Sequence, residues 1–262
     1  MSIGTFFARA LSFVVAAGVL AATAPACSQG EGEGRIAGTL TVPECWNGDF
    51  DLAPDFFSAV PYREGLQLRI QNGSDFENFA DGVSILLYDI GKVRPNPDKN
   101  YSGRYGEALK VSLPPEVTPP GQPIKPTSDP PIVSLTLSLQ KSCRTANVTL
   151  HAVEQVDLPT DGSCDAKPLL GADPTTGCDP QSASPGGFGT GRSLMAFTHV
   201  FDGKLDEADA AERLTAGCFD VYLADPREQA PGGDGPPPKC RGHLRGSFSF
   251  FFERGRPSQP FP

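Results

Sequence analysis

Residues 132–140 alternate without a break. Val133, Leu135, Leu137 and Leu139 are apolar, and Ser134, Thr136 and Ser138 between them are small and polar. A side-chain period of two gives one buried face and one wet face, which makes this stretch a strand and not a helix. The pattern recurs along the chain. Ile36, Gly38, Leu40 and Val42 alternate with Arg35, Ala37, Thr39 and Thr41; Leu66, Leu68 and Ile70 alternate with Gln67, Arg69 and Gln71; Leu109, Val111 and Leu113 alternate with Lys110 and Ser112. Further strands are read at Val148, Leu150 and Ala152, at Phe219, Val221 and Leu223, and at Leu244, Phe248, Phe250 and Phe252, with a weaker one over 49–52. Segments 83–90 and 194–201 are apolar on both parities, the mark of a strand covered on both sides. Helix is confined to 205–213 (LDEADAAER) and to a single turn over 55–59, after Pro54. Nine clear strands and one weak one, joined by turns and long loops, predict an all-β fold, an antiparallel β-sandwich.

The spaces between strands carry much of the glycine and proline, 29 and 27 residues respectively. Residues 91–106, 114–131 and 158–191 show no apolar period, and 114–131 is rich in proline. Loops borne on a rigid sheet are where contact functions concentrate, so these three form the expected contact surface.

The start of the chain fixes the compartment. Arg9 supplies a positive charge, residues 10–24 form an apolar run too short to span a bilayer comfortably, and Ala24-Pro25-Ala26 supplies small residues for cleavage. Residues 1–26 therefore read as an export signal. Cys27 follows directly, and Ala24-Pro25-Ala26-Cys27 resembles the lipobox of bacterial lipoproteins. That resemblance, which covers only the signal, implies a diacylated Cys27 as the mature N-terminus. Ser28 stands where aspartate would signal inner-membrane retention, which by the same resemblance implies the outer membrane, facing the periplasm or the cell surface. Residues 27–34 (CSQGEGEG) then form a lipidated flexible tether and 35–262 a single domain.

Seven cysteines support the same reading: Cys27, Cys45, Cys143, Cys164, Cys178, Cys218 and Cys240. Exported cysteines pair, and an odd count leaves one over. With Cys27 acylated, the other six make three bridges, expected as Cys45–Cys143, Cys164–Cys178 and Cys218–Cys240. The first joins two strand ends, the second closes one aperiodic loop, and the third links the ends of a hairpin.

Charge narrows the partners. Lys and Arg number 22 against 31 Asp and Glu, a net charge of −9 that falls by one more without Arg9. Nucleic acid and anionic lipid both call for basic patches, so neither is an expected partner. The membrane is reached through the lipid anchor alone.

No HExxH, GxSxG or GxxxxGK[ST] motif occurs, and Ser138-Leu-Gln-Lys141 lies on a strand, where SxxK chemistry lacks its helical turn. His243 shares parity with Arg241 and Arg245, which reads as a solvated positive face. His151 sits with polar neighbours, and His199 lies between Phe197 and Phe201 as a packed side chain. A zinc site is not expected from these three. Asp202, Asp206 and Asp209, with Glu207, crowd one segment as weak calcium candidates, and Asp49, Asp51 and Asp55 crowd another; neither has EF-hand spacing. No cofactor and no catalytic residue is expected. The sequence points to a lipid-anchored envelope module that binds a protein or glycan or plays a structural role. An exported hydrolase using carboxylates and a lipocalin-like carrier are the alternatives.

Overall fold

The computed structural model describes residues 32–62, 64–73, 80–114, 131–143, 148–164, 192–201, 214–228 and 236–251. Eleven strands account for most of them: β1 (Gly32–Val42), β2 (Trp46–Leu52), β3 (Phe56–Tyr62), β4 (Gly65–Asn72), β5 (Asp81–Leu87), β6 (Leu109–Lys110), β7 (Val133–Leu139), β8 (Val148–Ala152), β9 (Leu194–His199), β10 (Leu214–Ala224) and β11 (Gly242–Phe251). Among the described residues there is no α-helix. The expected all-β antiparallel class is what the structure has. Hydrogen bonding joins all eleven strands into one antiparallel sheet, in the order β2-β1-β11-β10-β8-β7-β5-β4-β3, with β9 alongside β10 and β6 on β9. Its two end strands, β2 and β3, do not pair, so the sheet is not closed into a barrel.

The alternation seen in the sequence becomes burial. Leu66, Leu68 and Ile70 of β4, Val83, Ile85 and Leu87 of β5, and Val133, Leu135, Leu137 and Leu139 of β7 are all essentially inaccessible and share one core. Burying each large aliphatic side chain contributes about 1.5–3 kcal/mol, which sets the register of these strands, since a slip of one residue would expose the whole set. β10 is covered on both faces: every residue from Thr215 to Ala224 is buried. Along one edge it pairs with β11, and along the other with β9 over its first half and β8 at its end.

Strands distant in the sheet order meet by packing. Phe57 on β3 stacks on Phe250 of β11 with ring centroids 5.6 Å apart. The Cys45–Cys143 bridge ties the β1–β2 turn to the end of β7, with Cα atoms 5.5 Å apart, as expected from the sequence. Gly32 and Gly34 make room for this meeting. A Cβ on Gly32 would run into Phe250, and one on Gly34 would lie 2.8 Å from the Ser247 carbonyl oxygen and 3.2 Å from the Phe57 ring. These residues were expected in the flexible tether; they open β1 instead, paired with Phe250 and Phe248, because a glycine-rich edge is what a crossing phenylalanine needs.

Other expectations need correction. Residues 55–59 do not form a helical turn: Phe56–Tyr62 is an edge strand paired with β4 along its whole length, and Pro61 is tolerated because an edge has a side that needs no donor. The strand read at Leu109, Val111 and Leu113 shrinks to Leu109–Lys110, with Val111 making a single parallel bridge to Val133.

Two of the three expected disulfides are also different. Cys164 pairs with Cys240, Cα atoms 6.4 Å apart, and not with Cys178. Cys218 does not pair with Cys240. On the β10–β11 ladder Cys218 stands opposite Ser247, and strand rise carries Cys240 roughly 23 Å beyond that point. A disulfide needs Cα atoms within about 7 Å. Cys218 is disulfide-bonded to a cysteine outside the described residues, which include neither Cys27 nor Cys178. Residues 158–164, the described start of that loop, are therefore stapled beside the start of β11, and 165–191 lie outside the described residues.

Candidate functional site

Polar chemistry collects at two places, one inside and one at the surface. The interior cluster lies on the sheet face opposite the main core. Asp220 on β10 and His243 and Arg245 on β11 share that face, because Asp220 is directly opposite Arg245 and Tyr222 opposite His243. Asp220 and the His243 side chain are fully buried, and Arg245 is nearly so. His243 Nε2–H donates to Asp220 Oδ1, and Arg245 Nε–H donates to Asp220 Oδ2 at 2.8 Å. The other ring nitrogen, Nδ1, donates to the Cys164 carbonyl at 3.2 Å. Both ring nitrogens thus face oxygen atoms of neighbouring groups. The imidazole also stacks on Tyr222 at 4.0 Å between centroids.

His243 was expected on a solvated face. It is buried because the 153–164 segment, held by Cys164–Cys240, crosses this side of the sheet and forms a small second core of Val153, Val156, Cys164, Tyr222, Ala224 and Cys240. Ser193 completes the surroundings: its Oγ accepts from the Tyr222 N–H at 2.9 Å and donates to the Tyr222 carbonyl at 3.3 Å. It is a backbone splint and does not meet His243. Both oxygens of Asp220 and both ring nitrogens of His243 are thus engaged by neighbours within the fold.

The surface site is an open groove of about 490 Å³ lined by Thr41–Pro43, Val148–His151, Asp225–Glu228 and Arg241. It opens where β10 leaves the sheet. Asp225 turns the chain there: its Oδ1 accepts from the Arg227 N–H at 2.9 Å and its carbonyl from the Glu228 N–H at 3.0 Å. Pro226 has no N–H with which to continue a ladder. The Arg227 guanidinium clasps the Asp225 carboxylate, with Nε–Oδ1 at 2.9 Å and Nη2–Oδ2 at 2.6 Å, and holds its pKa below the usual carboxylate range. Arg241 pairs with Glu228 in the same way, through Nε and Nη2, and its own pKa is raised by that hydrogen bond. His151 is 8% exposed and shares a hydrogen bond of 3.1 Å with Thr136 Oγ1. Burial pushes its pKa down, partly offset by the charge of Asp225. The groove therefore holds two acid–base pairs, each neutralised internally.

The remaining sequence candidates do not converge. His199 is exposed at the end of β9 and not packed between phenylalanines. The register shift between Ala216 and Gly217 turns it outward while Phe197 and Phe201 stay buried; its ring lies 5.9 Å from Tyr105. Asp51 is engaged by Arg35 at 2.7 Å, and Asp55 accepts from the Gly73 N–H at 2.5 Å. Among the described residues no group of three or more His, Cys, Asp or Glu is placed to hold a metal ion. Asp202, Asp206, Asp209, Cys27 and Cys178 lie outside the described residues.

No known family model matches the chain, and no curated protein or solved structure matches it either.

Sequence reasoning missed the groove and the interior cluster for related reasons. Both depend on which strands are neighbours: β10 with β8 and β11, β11 with β1. The signals were present as Asp225-Pro226, which ends a strand, and as a lone Asp220 within an apolar run, which calls for a buried partner.

Proposed function

We propose that this protein is an exported envelope lipoprotein, anchored through lipid on Cys27 at the outer membrane, whose β domain serves as a non-catalytic binding or structural module for a protein or glycan partner. The reading is supported by the sequence of residues 1–26, which has the composition of an export signal and stands immediately before Cys27, together with a domain held by disulfides. Bridges such as Cys45–Cys143 and Cys164–Cys240 belong to an oxidising, exported compartment. No helix of the described residues is long and apolar enough to cross a membrane. The groove supports binding over turnover, because its carboxylates are clasped by arginine and its histidine by Thr136. General acid–base work needs such groups held for the substrate.

Turnover assays on the purified protein test this reading. Generic ester, peptide and glycoside substrates should all remain intact. A turnover that persists through repurification and is lost on replacing Asp225 or Glu228 would overturn it.

A further inference from the structure

The groove is more specific than a depression, because one of its walls is the edge of a strand. β10 pairs with β8 at only two positions, Leu223 with Ala152 and Ala224 with His151. β8 starts earlier, at Val148, so Val148, Thr149 and Leu150 have no strand partner on this side among the described residues, although β7 covers their other edge. The direction of the free groups follows from a neighbouring bond. The Val153 N–H donates to the Tyr222 carbonyl at 3.1 Å, so Val153 faces the β10 side. Backbone groups alternate along a strand, which turns the N–H and C=O of Thr149 into the groove.

The side chains around that edge alternate as well. Val42, Val148 and Leu150 belong to or pack against the main core and present an apolar floor. Thr41, Thr149, His151 and Arg241 stand on the opposite parity, on the polar side. The four charged residues at the mouth pair among themselves, Asp225 with Arg227 and Glu228 with Arg241, which leaves no uncompensated charge to attract an ionic ligand. A slot lined in this way is complementary to an uncharged backbone in extended form, with an apolar side chain directed inward and a small polar one outward.

We infer that the groove is a strand-addition site, in which an extended, uncharged segment of a partner protein with alternating apolar and polar residues pairs with the Thr149 edge of β8 where β10 has turned away. The inference rests on the reading of this protein as a binding module and names the partner's chemistry. A free edge three residues long makes few hydrogen bonds, so affinity is low and depends on each of them.

The test uses the protein as the cell exports it and a capped seven-residue peptide of alternating threonine and valine. The control is the same peptide with its central amides N-methylated. The unmodified peptide should bind saturably at millimolar concentration, slow hydrogen exchange at the Thr149 amide, and lose roughly tenfold in affinity on N-methylation. Thr149→Pro, which removes the donor, should abolish binding, whereas Thr149→Val should keep it. If Thr149→Pro fails to fold, the exchange data on the unaltered protein decide alone. Absence of binding, or equal binding of both peptides, would overturn the inference. So would a Thr149 amide already protected without peptide, in step with a concentration-dependent rise in mass, which would assign the slot to a second copy of the chain. Failure of the binding-module reading is seen separately, in the turnover assays.

Discussion

Replacing Asp220 with alanine tests the interior cluster. Asp220 carries the only carboxylate that meets His243 and Arg245 among the described residues, and both of its oxygens are used. Asp220→Ala would leave a fully buried imidazole and a nearly buried guanidinium with no anion. Removing one member of a buried ion pair costs about 3–5 kcal/mol, most of it the exposed desolvation penalty of what remains. Arg245 retains 12% side-chain exposure and recovers some hydration by shifting outward, which places the loss at about 3–4 kcal/mol. For a domain of this size each kcal/mol moves Tm by about 2–4 °C, so the melting temperature should fall by roughly 6–16 °C. Urea unfolding followed by circular dichroism, with disulfides intact, reads the same change as a lower midpoint at unchanged slope. Asp220→Asn, which keeps shape and loses charge, should fall between. A loss of less than about 1 kcal/mol for Asp220→Ala would contradict a buried, coupled cluster, since that is the range of a solvated pair.

Gly246 lies under the Phe219 ring, where a Cβ would run into it, so Gly246→Ala should destabilise by about 1–3 kcal/mol in the same urea assay. Replacing Cys164 and Cys240 together should cost about 4–5 kcal/mol, given their separation of 76 residues, and should leave the 153–164 segment open to proteolysis. His151 should make stability depend on pH with a definite sign. Its folded pKa lies below the ordinary value of 6.5, so the unfolded chain binds the proton more readily; its contribution is complete above about pH 6.5 and is lost as pH falls towards the folded pKa. His151→Gln should flatten that part of a stability–pH curve, and an unchanged curve would contradict the assignment. Non-reducing peptide mapping should join Cys178 to Cys218, leaving Cys27 outside any bridge; a Cys27–Cys218 peptide would remove the cysteine that the anchor requires.

The sequence was most informative where one physical rule acted alone. β4 and β7 were legible because Leu66-Gln-Leu-Arg-Ile and Val133-Ser-Leu-Thr-Leu-Ser-Leu each bury one parity, and no tertiary contact competes with that period. β3 was not, because Pro54 and the paired phenylalanines at 56 and 57 suit a helix start equally well until Phe57 meets Phe250 across the fold. The glycines at the start of β1 carry no pattern at all; their purpose lies in the aromatic rings that cross them. His243 misled because Arg241 and Arg245 suggest solvent, while its actual surroundings come from Asp220 and Cys164, 23 and 79 positions away. Disulfide connectivity failed for a related reason: an offset or bulge could have brought Cys218 to Cys240, but the ladder runs regularly and sets Cys218, inside β10, opposite Ser247.

The proposed anchor requires that an exported, lipid-bearing Cys27 begin the mature protein. Mass spectrometry of the N-terminal peptide from membrane-extracted material tests it most directly. The expected peptide starts at Cys27 and carries the added mass of a diacylglyceryl group, and a Cys27→Ser form should lack the lipid and be released from membranes. An N-terminal peptide that begins at unmodified Cys27, or still carries residues 1–26 without lipid, would contradict it.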